Sequence, residues 1–261
     1  VEVVRRMLMD ARNIQRIAEQ FSNRDRGKLR VATTHTQARY ALPPVVGQFK
    51  AAFPKVHLAL HQATPGEIAT LLLAGEADLG IATEALASVG ELAAFPFYHW
   101  RHAVIAPAGH PLLTESPLAL EALVEHPLIT YQEGFTGRSQ IDAGFARAGL
   151  IPDIVISALD ADVIKTYVEL GLGIGIIAAR AFDPVRDSRL RLLDSAHLFE
   201  GNTTWIAVRK GHYLRNFAYR FIELCNPKLT EPFVRGVSSL SVSAALSGQG
   251  SDEQFNGGAG I

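Results

Sequence analysis

Lys28 to Phe53 reads KLRVATTHTQARYALPPVVGQFKAAF, and the change of pattern inside it decides the architecture. Lys28 to Ala32 alternates in the manner of a short strand, whereas Arg39 to Phe53 carries a helical pattern. Between them stands Thr33-Thr34-His35-Thr36-Gln37, short hydroxyls and an amide where a strand gives way to a helix. A helix N-terminus presents unpaired N–H donors and a partial positive charge, which makes such a junction a ready anion site. A single cap needs one hydroxyl. Three threonines and a glutamine in five residues exceed that need and predict a ligand-binding role.

Outward from this junction, strands and helices alternate. Val56 to His61 reads as a strand, and Thr64-Pro65 opens a helix through Ala74, with threonine as the cap and proline at the first helical position. Asp78 to Thr83 (DLGIAT) is a buried strand and Tyr98 to Pro107 another. A second unit follows: helix Leu118 to Glu125, strand Pro127 to Tyr131, helix Gly137 to Ala148, strand Asp153 to Ala158, helix Ala161 to Leu170 and strand Gly173 to Ala178. Strand Asn202 to Arg209 and helix Leu214 to Leu224 complete the pattern. Such alternation predicts an α/β protein with mostly parallel strands, and two similar arrays predict two subdomains. Ligands in such folds favour the carboxyl ends of strands. Thr83 ends one strand, and Thr136 sits in Gly134-Phe135-Thr136-Gly137-Arg138-Ser139 after another, so three strand ends each offer a threonine.

The flanks differ from this body. Val4, Met7, Ala11, Ile14, Ala18 and Phe21 step by three and four, a stripe suited to a partner helix, so residues 1–27 are expected to be a linker or dimerisation helix with a polar break at its end. Residues 231–261 are rich in Ser and Gly, and a disordered tail is expected there.

Of the 261 residues, 48% are hydrophobic and 20% charged, with a formal net charge of -1, so the bulk of the chain is no electrostatic clamp for nucleic acid. A single cysteine, Cys225, excludes an internal disulfide and fits a reducing, cytoplasmic setting. No apolar run reaches membrane-spanning length, so no membrane partner is expected. The start at Val1 predicts a fragment or a processed form.

Little here resembles catalysis. Gly171, Gly173 and Gly175 (GLGIGI) follow a helix and precede a strand, the reverse of a nucleotide loop, and read as a helix end with close backbone packing. His57 and His61 share a strand face, but no carboxylate or cysteine completes a metal shell. Ser139 lacks a nucleophile elbow. Asp160 and Asp162 open a helix and read as cap and macrodipole residues. Binding without turnover is expected, with no cofactor and no metal.

TTHTQARYALP (Thr33 to Pro43), ADLGIATEAL (Ala77 to Leu86), YHW (Tyr98 to Trp100), GFTGRS (Gly134 to Ser139), DADVIKTYVELGLGIGIIA (Asp160 to Ala178) and MLMDARNIQRIAEQF (Met7 to Phe21) resemble the LysR-type transcriptional regulators, in particular their CysB-like branch. The resemblance runs over roughly residues 1 to 230. It implies a periplasmic-binding-protein-like (type 2) effector domain, with subdomain I at 28–97 and 203–230 and subdomain II at 98–202. Two crossover strands, near Phe97 to Arg101 and Asn202 to Ala207, would join them. It also implies a transcriptional activator of cysteine and sulfur-assimilation genes that is a homo-oligomer, dimer or tetramer. Promoter DNA would be met through a winged helix-turn-helix outside these residues. The effector would be a small anion: N-acetylserine, sulfate or thiosulfate. Carried over by motif, its contacts are Thr34, Thr36, Gln37, Thr83 and Thr136, with Trp100 lining the cavity. Arg39 and Arg138 are candidate charge partners, and a solvated helix position is the alternative reading of each. Glu133 departs from the aromatic residue expected there, and a carboxylate beside an anion site weakens binding unless it points away. A free-standing solute-binding protein for a small anion is the alternative on the same architecture.

Overall fold

The computed structural model describes residues 7, 10, 11, 13, 14, 25–135 and 137–247. It consists of two lobes, each built on a five-stranded sheet. The first sheet has the order β2-β1-β3-β10-β4, from strands β1 (Gly27–Thr33), β2 (Val56–Gln62), β3 (Leu79–Ala82), β4 (Leu92–Trp100) and β10 (Asn202–Arg209). The second has the order β7-β6-β8-β5-β9, from β5 (His102–Pro107), β6 (Leu128–Tyr131), β7 (Ile154–Ala158), β8 (Ile174–Ala178) and β9 (Leu190–Leu192). The expectation of mostly parallel strands is corrected. In each sheet the first three strands in this order pair in parallel, and the remaining pairings are antiparallel.

Tyr98 to Pro107 is likewise two strands rather than one. β4 pairs with β10 along its length, Arg101 breaks the run, and β5 starts the second sheet. The chain returns to the first sheet between Leu192 and Asn202, so β4 and β10 lie together where the lobes meet.

Alternation along the strands supplies two apolar faces to the first sheet. Leu29, Val31 and Ile81 pack with Phe49 of α1 (Pro43–Ala52) and with Phe217 and Phe221 of α6 (Asn216–Cys225). Ala32 and Ala82 face Ile68 and Leu72 of α2 (Pro65–Ala74) instead. That helix begins with the expected cap: the Glu67 N–H donates to the Thr64 hydroxyl, and the Thr64 N–H donates to the Glu67 carboxylate. In the second lobe one core joins Val104, Ile129, Tyr131 and Ile176 to α4 (Arg138–Arg147) and α5 (Ala161–Glu169) through Ile141, Phe145, Ile164 and Val168. The short α3 (Leu120–Val124) adds Leu123. In GLGIGI, Gly171 takes φ +76° just past α5, and a Cβ on Gly175 would stand 2.7 Å from Ile105 Cγ1, so these glycines serve packing.

The tail expected from residue 231 is corrected in part, because α7 (Glu231–Ser247) is a helix that buries Val234 in the first core. Of the expected N-terminal helix, Met7, Asp10, Ala11, Asn13 and Ile14 are helical, and the other residues of 1–24 lie outside the described set. Asn13 grips the turn after β10: its amide donates to the Gly211 carbonyl at 3.0 Å and accepts from the Tyr213 N–H at 3.0 Å. Among the described residues, no helix is long and apolar enough to cross a membrane.

Candidate functional site

β1 and β3 pair in parallel with Thr33 opposite Ile81, which sets their carboxyl ends side by side. Thr34 therefore follows β1 next to Thr83, which follows β3, and the Thr34 N–H donates to the Ile81 carbonyl at 3.3 Å. Thr34, Thr36, Gln37 and Thr83 are all buried. The chain after them does not run straight into the helix expected from Arg39. Gln37–Ala41 forms a π turn closed by the Leu42 N–H on the Gln37 carbonyl at 2.9 Å, and α1 begins only at Pro43. Two consecutive prolines, Pro43 and Pro44, lack N–H groups, so the ladder cannot continue through them and the turn closes wide. Single π turns of this kind recur at functional sites.

Gln37 is held by a residue that the motif reading did not assign. The Tyr98 hydroxyl donates to Gln37 Oε1 at 2.6 Å. Burial raises the Tyr98 pKa, so the phenol stays protonated and remains a donor. With Oε1 occupied, the amide orientation is set and Nε2 is its donor end. The Arg180 guanidinium, from the second lobe, covers the Tyr98 ring at 4.9 Å. The signal for Tyr98 was present in the sequence. It precedes Trp100 by two residues on one strand and so shares its face.

Trp100 ends β4, buried, opposite Asn202 at the start of β10. These two, with His99, Arg101 and Gly201, line a cavity of about 500 Å³ at the crossover. Asn202 approaches His102 Nδ1 at 3.4 Å, and Trp100 meets the His102 ring edge-on at 5.0 Å. No pattern in the sequence marks Asn202, since a polar residue at a strand start is ordinary.

Thr136 lies outside the described residues. Its neighbour Gly137, at φ +67°, opens α4 against the crossover, where a Cβ would stand 2.5 Å from Asn202 Oδ1. Neither arginine is a free charge partner. Arg138 is buried, donating to Asp142 at 2.7 Å and to the Tyr131 carbonyl at 2.6 Å. Arg39 donates to Asp162 at 3.2 Å. Glu133 is exposed.

A clasp joins the lobes beside the site. The π turn that starts with Gln37 carries Tyr40 into the second lobe's core. There the Tyr40 hydroxyl donates to Asp162 Oδ1 at 2.6 Å, and Arg180 Nε donates to the Tyr40 carbonyl at 3.2 Å. Lys165 Nζ stands 3.2 Å from Asp162 and 3.1 Å from Asp187. Burial works against the charge on Asp162, but the Tyr40 hydroxyl, Lys165 and Arg39 together hold its carboxyl below the ordinary value. Asp160 caps α5, its side chain accepting the Val163 N–H at 2.9 Å, whereas Asp162 spends its carboxylate on the clasp rather than on its own helix end. Among the described residues there is no group of three or more potential metal ligands, and His57 and His61 are exposed on β2.

Comparison with known proteins agrees with this architecture. Residues 22–230 match the LysR substrate binding domain. The regulator SsuR of Burkholderia cenocepacia is 56% identical over 236 residues, 90% of this chain and 77% of that protein. The regulator Cbl of Escherichia coli is 51% identical over 228 residues, 87% and 72% of the two chains. The crystal structure of the cofactor-binding domain of the Cbl regulator superposes with a TM-score of 0.79 at 52% identity, covering 82% of this chain and 94% of that one. Two mixed-sheet lobes of the type 2 periplasmic-binding-protein form, matched across most of their length by regulators of one kind, place the chain in a family: it belongs to the LysR-type transcriptional regulators, with the substrate-binding domain at residues 22–230.

Proposed function

We propose that this chain is the sensing part of a LysR-type activator of cysteine and sulfur-assimilation genes, binding a small anion of the N-acetylserine, sulfate or thiosulfate class between its lobes. The observation that carries the reading is the set of buried hydroxyls at two adjacent strand ends, Thr34 and Thr83, beside a Gln37 amide turned by Tyr98 to act as a donor. Hydroxyls, an amide and backbone N–H groups hold an oxyanion without a lysine when a helix N-terminus contributes. Thr36, Trp100 and Thr136 are the remaining contacts in this reading. The names of its relatives, SsuR, Cbl and CysB, favour a regulator over a free-standing solute-binding protein and over an enzyme.

The mechanism follows from what each lobe holds. Ligand contacts on the first lobe lead directly into the π turn, and the far end of that turn is clasped to the second lobe at Asp162. A ligand that binds the closed arrangement more tightly shifts the lobes toward it by that affinity difference and no more. Linker helices of a dimer or tetramer would carry this bias to DNA-binding domains on promoter DNA, and the protein would act in the cytoplasm. Replacing Thr34 by valine keeps the shape and leaves a ligand oxygen unpaired, at a cost of about 1–3 kcal/mol in binding. Isothermal titration of sulfate and N-acetylserine into the wild-type chain and T34V tests the site; equal affinities in both proteins refute it.

A further inference from the structure

Helices from the two ends of the chain close on one short turn. Past β10 the chain runs through Lys210-Gly211-His212-Tyr213 before α6. Gly211 takes φ +73° there, in the left-handed region that favours glycine. Its carbonyl accepts from the Asn13 amide at 3.0 Å, and its N–H donates to the Ser238 carbonyl of α7 at 3.2 Å. Tyr213 is gripped from the same two sides. Its N–H donates to Asn13 Oδ1 at 3.0 Å, and the Arg235 guanidinium of α7 lies 5.8 Å from its ring.

The turn and α7 are each seated in the first lobe. The His212 side chain is 3% exposed, with Nε2 3.7 Å from Asp78, which in turn pairs with Arg30 of β1 at 2.9 Å. On α7, Val234 is buried in the first core, and Arg235 covers the Tyr219 ring of α6 at 4.5 Å while donating to Glu231 at 2.8 Å. The N-terminal helix meets the turn with a polar residue. Met7 and Ile14, members of its apolar stripe, are 66% and 68% exposed. Asn13 and α7 both lie outside residues 22–230, the span of the family domain.

We infer that the Gly211–Tyr213 turn, braced by α7, is a mount that fixes the direction of the N-terminal helix on the first lobe. Asn13 and Arg235 are its positioning residues. Asparagine suits the task because one side chain offers both a donor and an acceptor, and two bonds to two residues set an orientation where one would leave a pivot. A surface turn of this kind yields easily by itself, and Ser238 and Arg235 stiffen it at Gly211 and at Tyr213. The mount holds the helix by Asn13 and leaves Met7 and Ile14 turned outward. All of these contacts belong to the first lobe, so the helix takes its bearing from that lobe and the second lobe moves relative to both. The mount works with or without a ligand.

The test is amide hydrogen exchange in the whole chain, read by NMR at Ala11 and Ile14 of the N-terminal helix and at Leu29 and Val31 of β1. The variants are Asn13→Ala, Asn13→Asp, Arg235→Met and, as a control, Arg220→Met, which breaks an exposed pair with Glu223 on α6. Expected are exchange at Ala11 and Ile14 at least tenfold faster in N13A and at least threefold faster in R235M, although Arg235 has no printed contact with that helix and lies more than 200 residues away in sequence. N13D keeps the acceptor for Tyr213 and should fall between wild type and N13A. The double variant should exchange no faster than N13A alone, because both changes act through one turn. R220M should match wild type, and Leu29 and Val31 should stay within twofold throughout. If R235M does not fold, Glu231→Gln, which loosens Arg235 from its own helix, takes its place. Unchanged Ala11 and Ile14 in N13A overturn the mount, and unchanged values in R235M overturn the brace. Parallel acceleration at Leu29 and Val31 also overturns it, since the helix would then merely follow the stability of the lobe.

Discussion

Tyr98→Phe isolates one hydroxyl at the centre of the proposed site. Phenylalanine preserves the ring that Arg180 covers at 4.9 Å and that meets Phe97 edge-on at 4.9 Å, so packing is unchanged. What disappears is the 2.6 Å bond to Gln37 Oε1, on a side chain that is 1% exposed. A buried acceptor left without its donor costs about 1–3 kcal/mol. For a domain of this size each kcal/mol lowers the melting temperature by about 2–4 °C, so a midpoint loss of about 2 kcal/mol is a drop of about 4–8 °C. Binding suffers separately. Without Tyr98 the amide is free to turn Oε1 toward the ligand, and losing about 1 kcal/mol of preorganisation weakens an oxyanion about fivefold. Differential scanning fluorimetry reads the first effect and calorimetry with sulfate the second. Y98F with wild-type melting temperature and wild-type sulfate affinity would show that the hydroxyl neither supports Gln37 nor orients it, and the reasoning would fail.

Two further outcomes follow from the clasp and its surroundings. Lys165 and Asp187 form a buried pair at 3.1 Å, with only 9% of each side chain exposed, so Lys165→Met strands a carboxylate and should cost about 3–5 kcal/mol by urea unfolding. Adding Asp187→Leu should recover most of that loss, and a double variant no more stable than K165M would contradict the pairing. The depressed Asp162 carboxyl contributes stability to the closed arrangement above its ordinary value, and that contribution is lost as pH falls through its lower folded value. Small-angle scattering should therefore show a compact wild-type chain at neutral pH that opens below about pH 4, whereas Asp162→Leu is already open at neutral pH. Identical scattering of the two at neutral pH refutes the clasp.

Most of the framework was legible because it depends on local chemistry. Thr64-Pro65 with Glu67 marks the start of α2 without reference to anything distant, and the helix begins there. DLGIAT reads as a buried strand, and β3 is buried throughout. The misreadings share a cause. Tyr98 to Pro107 looks like one apolar strand, and only the pairing of β4 with β10 and of β5 with β8 and β9 divides it at Arg101. The polarity of neighbouring strands is equally a matter of which partner is met, so mixed sheets were not visible in the order of elements. Residues 231–247 carry little helical signal of their own, and Val234 gains its burial from a core assembled elsewhere in the chain.

The sequence by itself determined that this protein has two α/β lobes and that threonines crowd its strand ends, because alternation, caps and strand-end chemistry act within a few residues. Tertiary structure decided what those side chains do. It brought Tyr98 onto Gln37, set Asn202 beside Trp100, and turned Arg39, Arg138 and Asp162 from supposed ligand or cap groups into internal contacts. Those pairings join residues up to 123 positions apart, and no local pattern records which partner a folded chain will place within hydrogen-bond reach.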